Sequence, residues 1–347
     1  MTKIRIFDLG LTWVGRAFIL TRVSTAGGIA EECWLCWSKT RAFWSNDAFT
    51  SVECRGCGHI QAEHRIDPEV ALADYHRTYD DQQRFVASLA ATRRRQAGRL
   101  LDELWSVGPI GSLFDFGCGR GWFLQVAQER GLRNLAGGDV SDLALALVRQ
   151  RGLREVRLER SAPLDCLRLE ELGFIPEAIT FLDVIEHFPG DLTPMFSRWL
   201  ARLPAGVRFL VIKVPIREGL LFSMANLTRR VGFEGLGRQF FQAGTYPPHY
   251  QYFSRRSLSC LIAKLGLREV RVLDDLDFEP EDLGNRLGPR MAPLKALALP
   301  AGRGLAAAAR ALGRQDSRII IAERGGDPVV AGREWEQGPK SPRIDVR

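Results

Sequence analysis

The stretch DFGCGRG at residues 115–121 joins an acidic side chain to three glycines, and such a loop lets a ligand approach the backbone closely. Its spacing is G-x-G-x-G, whereas a dinucleotide loop has G-x-G-x-x-G, and Trp122 stands where the third glycine would be. The phosphate-binding signature G-x-x-x-x-G-K-[ST] is absent. Because Asp115 would repel a pyrophosphate and attract an ammonium or sulfonium group, we expect a ligand that is positively charged here.

Four of the seven cysteines form two C-x-x-C pairs, CWLC and CRGC, with 17 residues between them. This spacing is typical of zinc sites, because each pair bends around one side of a tetrahedral ion. The sequence predicts a structural Zn²⁺ site, closed to substrates, with the ligands Cys33, Cys36, Cys54 and Cys57. His59 and His64 are alternative ligands, and redox dithiols or buried free thiols are the alternative interpretation.

Strand and helix patterns alternate from residue 111 onwards, and they would position these groups. Strands are predicted at 111–116, 133–138, 155–158, 177–183, 207–215, 268–274 and 317–323. Helices are predicted at 120–131, 141–151, 191–203, from Ser254, and at 294–313. The alternation predicts an α/β fold with a parallel sheet and helices on both faces.

Four landmarks in the expected order resemble the class I S-adenosylmethionine-dependent methyltransferases. They are DFGCGRG, GGDVSD (137–142), FLDVIEHF (181–188), and a tail that contains VIKVP, HYQYFSRRSL and GLREV. The resemblance covers about 111–323 and implies a Rossmann-like seven-stranded sheet with S-adenosylmethionine as the cofactor. An N-terminal cysteine ribbon followed by a tyrosine-rich helix, here ADYHRTYDD, is similar to some sugar-modifying members.

The resulting domain prediction has five parts. They are an N-terminal segment without a usable pattern (1–30), a zinc ribbon (31–66), a helical linker (67–107), the methyltransferase domain (108–325) and a disordered tail (326–347). Arg93, Arg94 and Arg95 of the linker are expected on a solvated helix face, and a phosphate contact is the alternative. The insertion 216–250 is predicted to be a lid over the acceptor, with an apolar wall formed by Phe222, Met224, Phe240 and Phe241.

The resemblance also implies a set of cofactor-binding residues: Asp115, Gly117, Cys118, Gly119, Gly121, Asp139, Val140 and Asp183. The loop glycines would let the backbone run under the methionine part of the cofactor, which Asp115 would orient. Asp139 suits a carboxylate that accepts the ribose hydroxyls, and Asp183 ends the fourth strand at the ligand crevice. The alternative for both is helix capping. Adenine contacts are expected from 159–165.

An acceptor with a hydroxyl or an acidic carbon requires a base to remove its proton. His187 and His249 are the candidates, because histidine has a suitable pKa, with Glu186, Tyr246 and Tyr250 behind them. The alternative is that each histidine only orders a turn. A nucleophilic role for Cys118 is not expected, because no base is evident beside it.

These features predict a methyltransferase that modifies a small-molecule acceptor, a sugar or polysaccharide precursor, on oxygen or carbon. An RNA methyltransferase that grips nucleic acid with the ribbon is the alternative, and a non-catalytic cofactor-binding scaffold is the second. The net charge of +7 gives the RNA alternative slight support, but the ribbon lacks a dense basic stripe, so no nucleic-acid partner is expected. With no membrane span, no convincing signal peptide and a cysteine spacing unlike that of a secreted disulfide framework, we expect a cytoplasmic protein.

Overall fold

The computed structural model describes residues 11–14, 17–20, 31–46, 49–64, 90–158, 164, 167–231, 247–280 and 295–325. Several predictions lie outside these residues: the linker before residue 90, the tail 326–347, and the lid positions Phe240, Phe241 and Tyr246.

The strands and helices of the described residues follow the predicted alternation closely. The strands are β1 Leu11–Val14, β2 Ala17–Leu20, β3 Thr40–Ser45, β4 Phe49–Cys54, β5 Ile60–His64, β6 Ser112–Phe116, β7 Asn134–Asp139, β8 Arg154–Arg157, β9 Ala178–Leu182, β10 Phe209–Pro215, β11 Gln251–Tyr252, β12 Leu267–Asp275 and β13 Ser317–Arg324. The helices are α1 Ala90–Val107, α2 Trp122–Glu129, α3 Asp142–Gln150, α4 Thr193–Arg202, α5 Leu220–Arg230, α6 Arg255–Lys264 and α7 Lys295–Ala311. Ser141 and Ser254 cap α3 and α6 through their side chains, as expected of serine at a helix start.

Seven strands form one sheet in the order β12-β13-β10-β9-β6-β7-β8. This confirms the Rossmann-like α/β fold, but the sheet is mixed and not wholly parallel. Strand β13 runs antiparallel to both of its neighbours, β10 and β12. Asp275 at the end of β12 pairs with Ser317 at the start of β13, so β13 begins at the same end of the sheet at which β12 finishes.

Alternation along the strands divides the core between the two faces of the sheet. Leu113 of β6 packs in a cluster with Leu101 and Leu104 of α1, whereas the next residue, Phe114, packs in the cluster that contains Trp199 of α4. The sheet is therefore covered by helices on both faces. The carboxyl ends of its parallel strands remain available for a ligand.

The cysteine segment forms a second sheet of four strands, in the order β11-β5-β4-β3. Its strand β11 lies far along the chain, beyond the predicted lid, so the ribbon shares a sheet with the methyltransferase segment. The Ser254 hydroxyl donates a hydrogen bond to the Cys57 carbonyl at 2.5 Å, and the Lys264 ammonium donates one to the Trp34 carbonyl at 2.6 Å. Cys33, Trp34 and Leu35 belong to the same apolar cluster as the central strands.

The N-terminal segment, in which no usable sequence pattern was found, contains the hairpin β1–β2. Among the described residues, no helix is both long enough and apolar enough to span a bilayer.

Candidate active site

The glycine loop after β6 adopts left-handed backbone conformations, with φ of 74° at Gly117, 50° at Gly119 and 68° at Gly121. A Cβ atom on Gly117 would lie 2.5 Å from a methyl carbon of Val184, whereas one on Gly119 would meet no atom of the described residues within 4 Å. Glycine is thus required at Gly117 by protein packing, and Gly119 presents bare backbone to open space. The loop therefore leaves room for a ligand at Gly119, and the predicted cofactor contact there stays a prediction.

Asp115 and Asp139 are the two buried carboxylates beside this loop. The Thr180 hydroxyl donates to Asp115 at 2.6 Å, and burial raises the pKa of Asp115 to about 7. The backbone N–H groups of Gly119 and Ser141 donate to the two Asp139 oxygens at 2.9 and 2.8 Å. Burial raises the pKa of Asp139 also. A positively charged ligand would favour the ionised form of either group.

The other predicted cofactor residues lie around this loop in different ways. Cys118 is buried, and burial raises its pKa, which suits packing better than a reactive thiolate. Gly121 occupies the N-cap position of α2. Val140 is half-buried against the core. The predicted adenine loop 159–165 lies outside the described residues except for Leu164, which is buried.

Asp183 lies at the end of β9 with φ of 59°, a left-handed conformation that is uncommon for a residue with a side chain. The Lys213 ammonium contacts its two oxygens at 2.6 and 2.8 Å, and the Arg93 guanidinium contacts one at 2.9 Å. Burial opposes ionisation, but these two cations outweigh it and hold the pKa of Asp183 at about 2. Lys213 also binds Asp277 at 2.9 Å. The carboxylate is therefore engaged in an ion-pair network, and its predicted contact with the cofactor stays a prediction.

This network includes residues that the sequence reasoning missed. Arg93 was expected on a solvated face, and instead it pairs with Asp183 across 90 positions of the chain. Lys213 lies on a buried strand, where an ionised side chain is rare unless it is paired. A lysine inside the apolar run VRFLVIKVP was the available signal for Lys213, whereas no local pattern indicates Arg93.

Glu186, His187 and His249 are brought together at the end of β9. Their ligand atoms all lie within 4.8 Å of one another, and the two imidazole rings are 4.7 Å apart between centroids. His187 Nδ1 lies 3.0 Å from the Pro248 carbonyl. Because a carbonyl only accepts, Nδ1 carries the proton and the lone pair is on Nε2. The sequence placed these three residues at one site although 62 positions separate His187 from His249.

The surroundings favour the uncharged form of all three groups. Burial, together with the negative charge of Asp183, raises the pKa of Glu186 well above its usual value. Burial lowers the pKa of His187, and burial with the nearby His187 lowers that of His249 much further. A neutral imidazole can accept a proton or bind a metal ion, so either chemistry is open to this cluster.

The cluster opens into a cavity of about 300 Å³. Its lining consists of Arg93, Asp183, Glu186, His187, Pro215, Ile216, Arg217, Leu221, Phe222, His249, Tyr252, Asp277 and Asp316. Phe222 of the predicted lid therefore forms part of the wall. Met224 does not line the cavity and is 45 % exposed. The candidate base Tyr250 is absent from this lining, and its ring contacts His64.

The four ribbon cysteines converge, with their sulfur atoms within 4.8 Å of one another. Cys33 and Cys57 sulfurs are 3.7 Å apart and those of Cys36 and Cys54 are 3.4 Å apart, close to the ~3.8 Å that tetrahedral Zn–S bonds of about 2.3 Å give. The backbone N–H groups of Gly56 and Cys57 point at the Cys54 sulfur, both at 3.3 Å. The donor set fits a four-coordinate zinc ion.

The alternative ligands, His59 and His64, instead connect the ribbon to the cavity. His59 Nε2 lies 2.8 Å from the Gln251 side-chain oxygen, and burial lowers its pKa to about 4. The Gln251 amide donates to the carbonyls of Phe188 and Gly190 at 2.9 Å each. His64 Nε2 donates to the His249 carbonyl at 2.8 Å. Ribbon side chains thus hold both segments that carry the histidine cluster.

The glycine loop and the histidine cluster meet at Val184, which contacts Gly117 and precedes Glu186 by two positions. One edge of the sheet therefore carries two adjacent parts, a bare-backbone loop with buried acids and a polar cavity. In open α/β sheets, ligands bind at this carboxyl edge.

Three solved structures show the similarity of this chain to known proteins. A methyltransferase from Archaeoglobus fulgidus has 17 % identity and a TM-score of 0.43, and the match covers 72 % of this chain and 100 % of that one. The magnesium protoporphyrin IX methyltransferase of Synechocystis, with bound SAH, has 15 % identity, a TM-score of 0.46 and coverage of 75 % and 100 %. The geranyl diphosphate C-methyltransferase of Streptomyces coelicolor has 18 % identity, a TM-score of 0.41 and coverage of 67 % and 76 %.

Comparison with curated protein sequences gives no match. A family model described as a methyltransferase domain matches residues 83–272, which include the glycine loop, both buried acids, the histidine cluster and β11. The matched range covers more than half of the chain. The chain therefore belongs to the methyltransferase-domain family and is a class I S-adenosylmethionine-dependent methyltransferase.

Proposed function

We propose that this enzyme methylates a small-molecule acceptor, a sugar or polysaccharide precursor, on oxygen or carbon, and that the cavity beside Glu186, His187 and His249 binds that acceptor. The observation that carries the proposal is the contact between Gly117 and Val184, because it joins the cofactor loop directly to the motif of the cavity. An acceptor in a cavity of about 300 Å³ is of small-molecule size.

S-adenosylmethionine supplies a methyl group on a positively charged sulfur, which is an activated leaving group. In the transfer, an acceptor lone pair forms the new bond to the methyl carbon, and the C–S electron pair stays on sulfur. The residues of this chain must hold the acceptor at near-attack distance and take up its proton. Neutral His187, with the lone pair on Nε2, and neutral His249 are suited to the proton, and Glu186 is the third candidate catalytic group beside them.

The cofactor residues in this proposal are those around the glycine loop. Gly119 gives open backbone, Asp115 faces the positively charged end of the cofactor, and Asp139 accepts from its ribose hydroxyls through the lone pairs left after its two backbone contacts. The ribbon is proposed to hold one structural Zn²⁺ on Cys33, Cys36, Cys54 and Cys57, with no position left for a substrate.

The test is a methyl-transfer assay with zinc-loaded protein and labelled S-adenosylmethionine against sugar nucleotides, polysaccharide fragments and RNA. We expect transfer to an acceptor of the first two kinds, and loss of at least about 100-fold in kcat when His187 and His249 are both replaced by Gln. Transfer to RNA alone would contradict the proposal. Calorimetry should show S-adenosylhomocysteine binding in the double variant as in the parent protein, which separates loss of chemistry from loss of fold.

A further inference from the structure

Glu186, His187 and His249 form a donor set that is also complete enough to hold a metal ion. Two imidazoles and one carboxylate, with ligand atoms within 4.8 Å of one another, line a cavity that is open on one side. Ligand atoms at 2.0–2.2 Å from a common ion lie about 3 to 4 Å apart. Side-chain rotations that move these atoms by about 1 Å would therefore bring them to metal-binding distances. Three protein ligands leave a further position for a substrate.

A second observation points to a missing ligand at this place. Glu186 is 1 % exposed, and its Oε2 atom has no hydrogen-bond partner among the described residues. A buried carboxylate oxygen without a partner is costly, and native proteins pair such atoms or use them to bind a ligand. A cation in the cavity would satisfy this oxygen.

The surroundings of His187 have the arrangement found around metal-binding histidines. Its Nδ1–H donates to the Pro248 carbonyl, which fixes the tautomer and directs the Nε2 lone pair away from the backbone. The carbonyl of His249 is held by His64, so its backbone is fixed too. These contacts orient the His187 imidazole and fix the backbone that carries His249 before an ion binds.

The charge of the cavity favours a cation as well. Among the described lining residues, four are acidic, Asp183, Glu186, Asp277 and Asp316, and two are basic, Arg93 and Arg217. Arg217 is itself paired with Glu53 of the ribbon at 2.5 Å, and Lys213 behind the lining is paired with Asp183 and Asp277. Glu186, when ionised, has no ion-pair partner among the described residues, so a divalent ion at the cluster would balance its charge.

We propose that Glu186, His187 and His249 bind a divalent transition-metal ion, and that a hydroxyl of the acceptor is the further ligand of that ion. The statement that the acceptor hydroxyl binds the ion rests on the proposed function, and it implies that oxygen is the methylated atom. An ion of this kind makes a bound hydroxyl more acidic. The hydroxyl proton passes to water, an oxygen lone pair forms the bond to the methyl carbon, and the C–S pair stays on sulfur. The histidines then act as ligands and need not accept the proton.

The imidazole-rich set selects the class of ion. Imidazole suits Zn²⁺, Fe²⁺ and Co²⁺ better than Mg²⁺ or Ca²⁺, which prefer oxygen ligands. This donor set also differs from the thiolate set of the ribbon, so one probe reports on the two sites separately. Co²⁺ bound by thiolates has an intense near-ultraviolet charge-transfer band, and Co²⁺ bound by nitrogen and oxygen has visible bands alone.

The experiment titrates Co²⁺ into full-length protein whose ribbon already carries one equivalent of Zn²⁺. We expect one further equivalent of Co²⁺ to bind with visible bands and no thiolate band. Glu186→Gln and His249→Gln should each weaken this binding by more than about tenfold, since even the loss of an outer contact to a metal ligand costs that much. Glu171→Gln, on an exposed side chain, is the matched control and should bind as the parent does.

Failure of the parent protein to bind Co²⁺ beyond the ribbon, or equal binding by both site variants, overturns the proposal. Calorimetry with S-adenosylhomocysteine on the same samples keeps the two proposals apart. Normal S-adenosylhomocysteine binding without Co²⁺ binding overturns the metal site alone, whereas Co²⁺ binding without S-adenosylhomocysteine binding overturns the proposed function. Circular dichroism of each variant confirms that it is folded, and if Glu186→Gln is unfolded, His249→Gln decides.

Discussion

At the scale of single residues, the glycines of the loop are needed for two different reasons, protein packing and space for a ligand, which the sequence motif alone does not distinguish. Gly117 and Gly119 both have positive φ, so alanine at either position meets backbone strain of about 1–2 kcal/mol. Only at Gly117 does protein occupy the space of the added carbon, at 2.5 Å from Val184. The first glycine is therefore needed for the fold, and the second is free to serve the ligand.

This difference predicts that two matched substitutions change different quantities, mainly stability at Gly117 and mainly ligand affinity at Gly119. Gly117→Ala should lower the free energy of unfolding by about 2 to 4 kcal/mol, because strain and overpacking add. Gly119→Ala should lower it by only the strain, yet weaken S-adenosylhomocysteine binding by at least tenfold, because its methyl group enters the space of the ligand. Urea unfolding and calorimetry measure the two quantities. Equal affinity in parent and Gly119→Ala would contradict a cofactor site over this glycine.

Asp115 predicts a pH dependence of stability in the absence of cofactor. Its pKa is raised from 3.8 to about 7 by burial, so between these values the folded state holds a proton that the unfolded state has lost. Stability must then fall as pH rises through this window and level off above pH 7. From pH 5 to 8 the parent should lose about 2 to 3 kcal/mol relative to Asp115→Asn, which has no such ionisation. Urea midpoints at both pH values test this, and parallel profiles of the two proteins would refute it.

At the scale of elements, the two-residue strand β11 connects the ribbon to the cavity. Gln251 is fully buried and bonds to His59 on one side and to the carbonyls of Phe188 and Gly190 on the other. These carbonyls follow directly after Glu186 and His187. Gln251, which does not line the cavity, thus holds the backbone that follows the histidine cluster, whereas Tyr252 of the same strand is part of the lining.

Replacing Gln251 by Met should therefore act on the cavity and leave the cofactor loop alone. Loss of the buried amide leaves two carbonyls and one imidazole unpaired, which should cost about 2 to 3 kcal/mol of stability. We expect lower kcat for methyl transfer with S-adenosylhomocysteine affinity changed less than twofold. Gln125→Met, at a partly exposed position of α2, is the control and should alter neither. Equal losses of kcat and of cofactor affinity in Gln251→Met would show a global defect in place of a positioning role.

Most elements were predictable because their signals are local. The segments around Leu113 and Leu210 are apolar runs typical of buried strands, and Ser141 and Ser254 are residue types that favour helix starts. The structure places these strands and helix starts within a few residues of the predicted bounds. The reversed direction of β13 was not predictable, because strand direction depends on where the chain re-enters the sheet. Strand β11 is too short for any periodicity to indicate it.

The candidate site likewise contains residues with local sequence signals and residues brought in by tertiary folding. The glycine loop, the four cysteines and the Glu186-His187 pair have fixed local spacing, so the sequence identified them directly. Arg93 contacts Asp183 through tertiary folding, and a run of three arginines on a helix is more often solvated, which is why this contact was missed. The apolar run around Lys213 indicates that this lysine is buried and needs an ionic partner, but no sequence pattern identifies that partner.

At the scale of the whole molecule, the ribbon and the methyltransferase segment share structure and should share stability. Strand β11 completes the ribbon sheet, and Cys33 and Cys57 lie in the same apolar cluster as Phe114 and Phe181 of the central sheet. The ordering that the proposed zinc ion would provide at the cysteines is thereby coupled to the main core. A bound structural metal in such an arrangement stabilises the entire folded state.

Loss of the zinc site should therefore lower one common melting transition. Cys54→Ser removes a thiolate that also accepts two backbone N–H groups, and we expect Tm to fall by at least about 10 °C with a single transition. Cys260→Ser, outside the cysteine cluster, is the matched control and should shift Tm by only a few degrees. Calorimetry that resolves a separate ribbon transition, with the methyltransferase transition unmoved in Cys54→Ser, would contradict this coupling. It would also remove the reason to expect that ribbon side chains such as His64 position the histidine cluster, because a segment that melts alone cannot fix the orientation of His249.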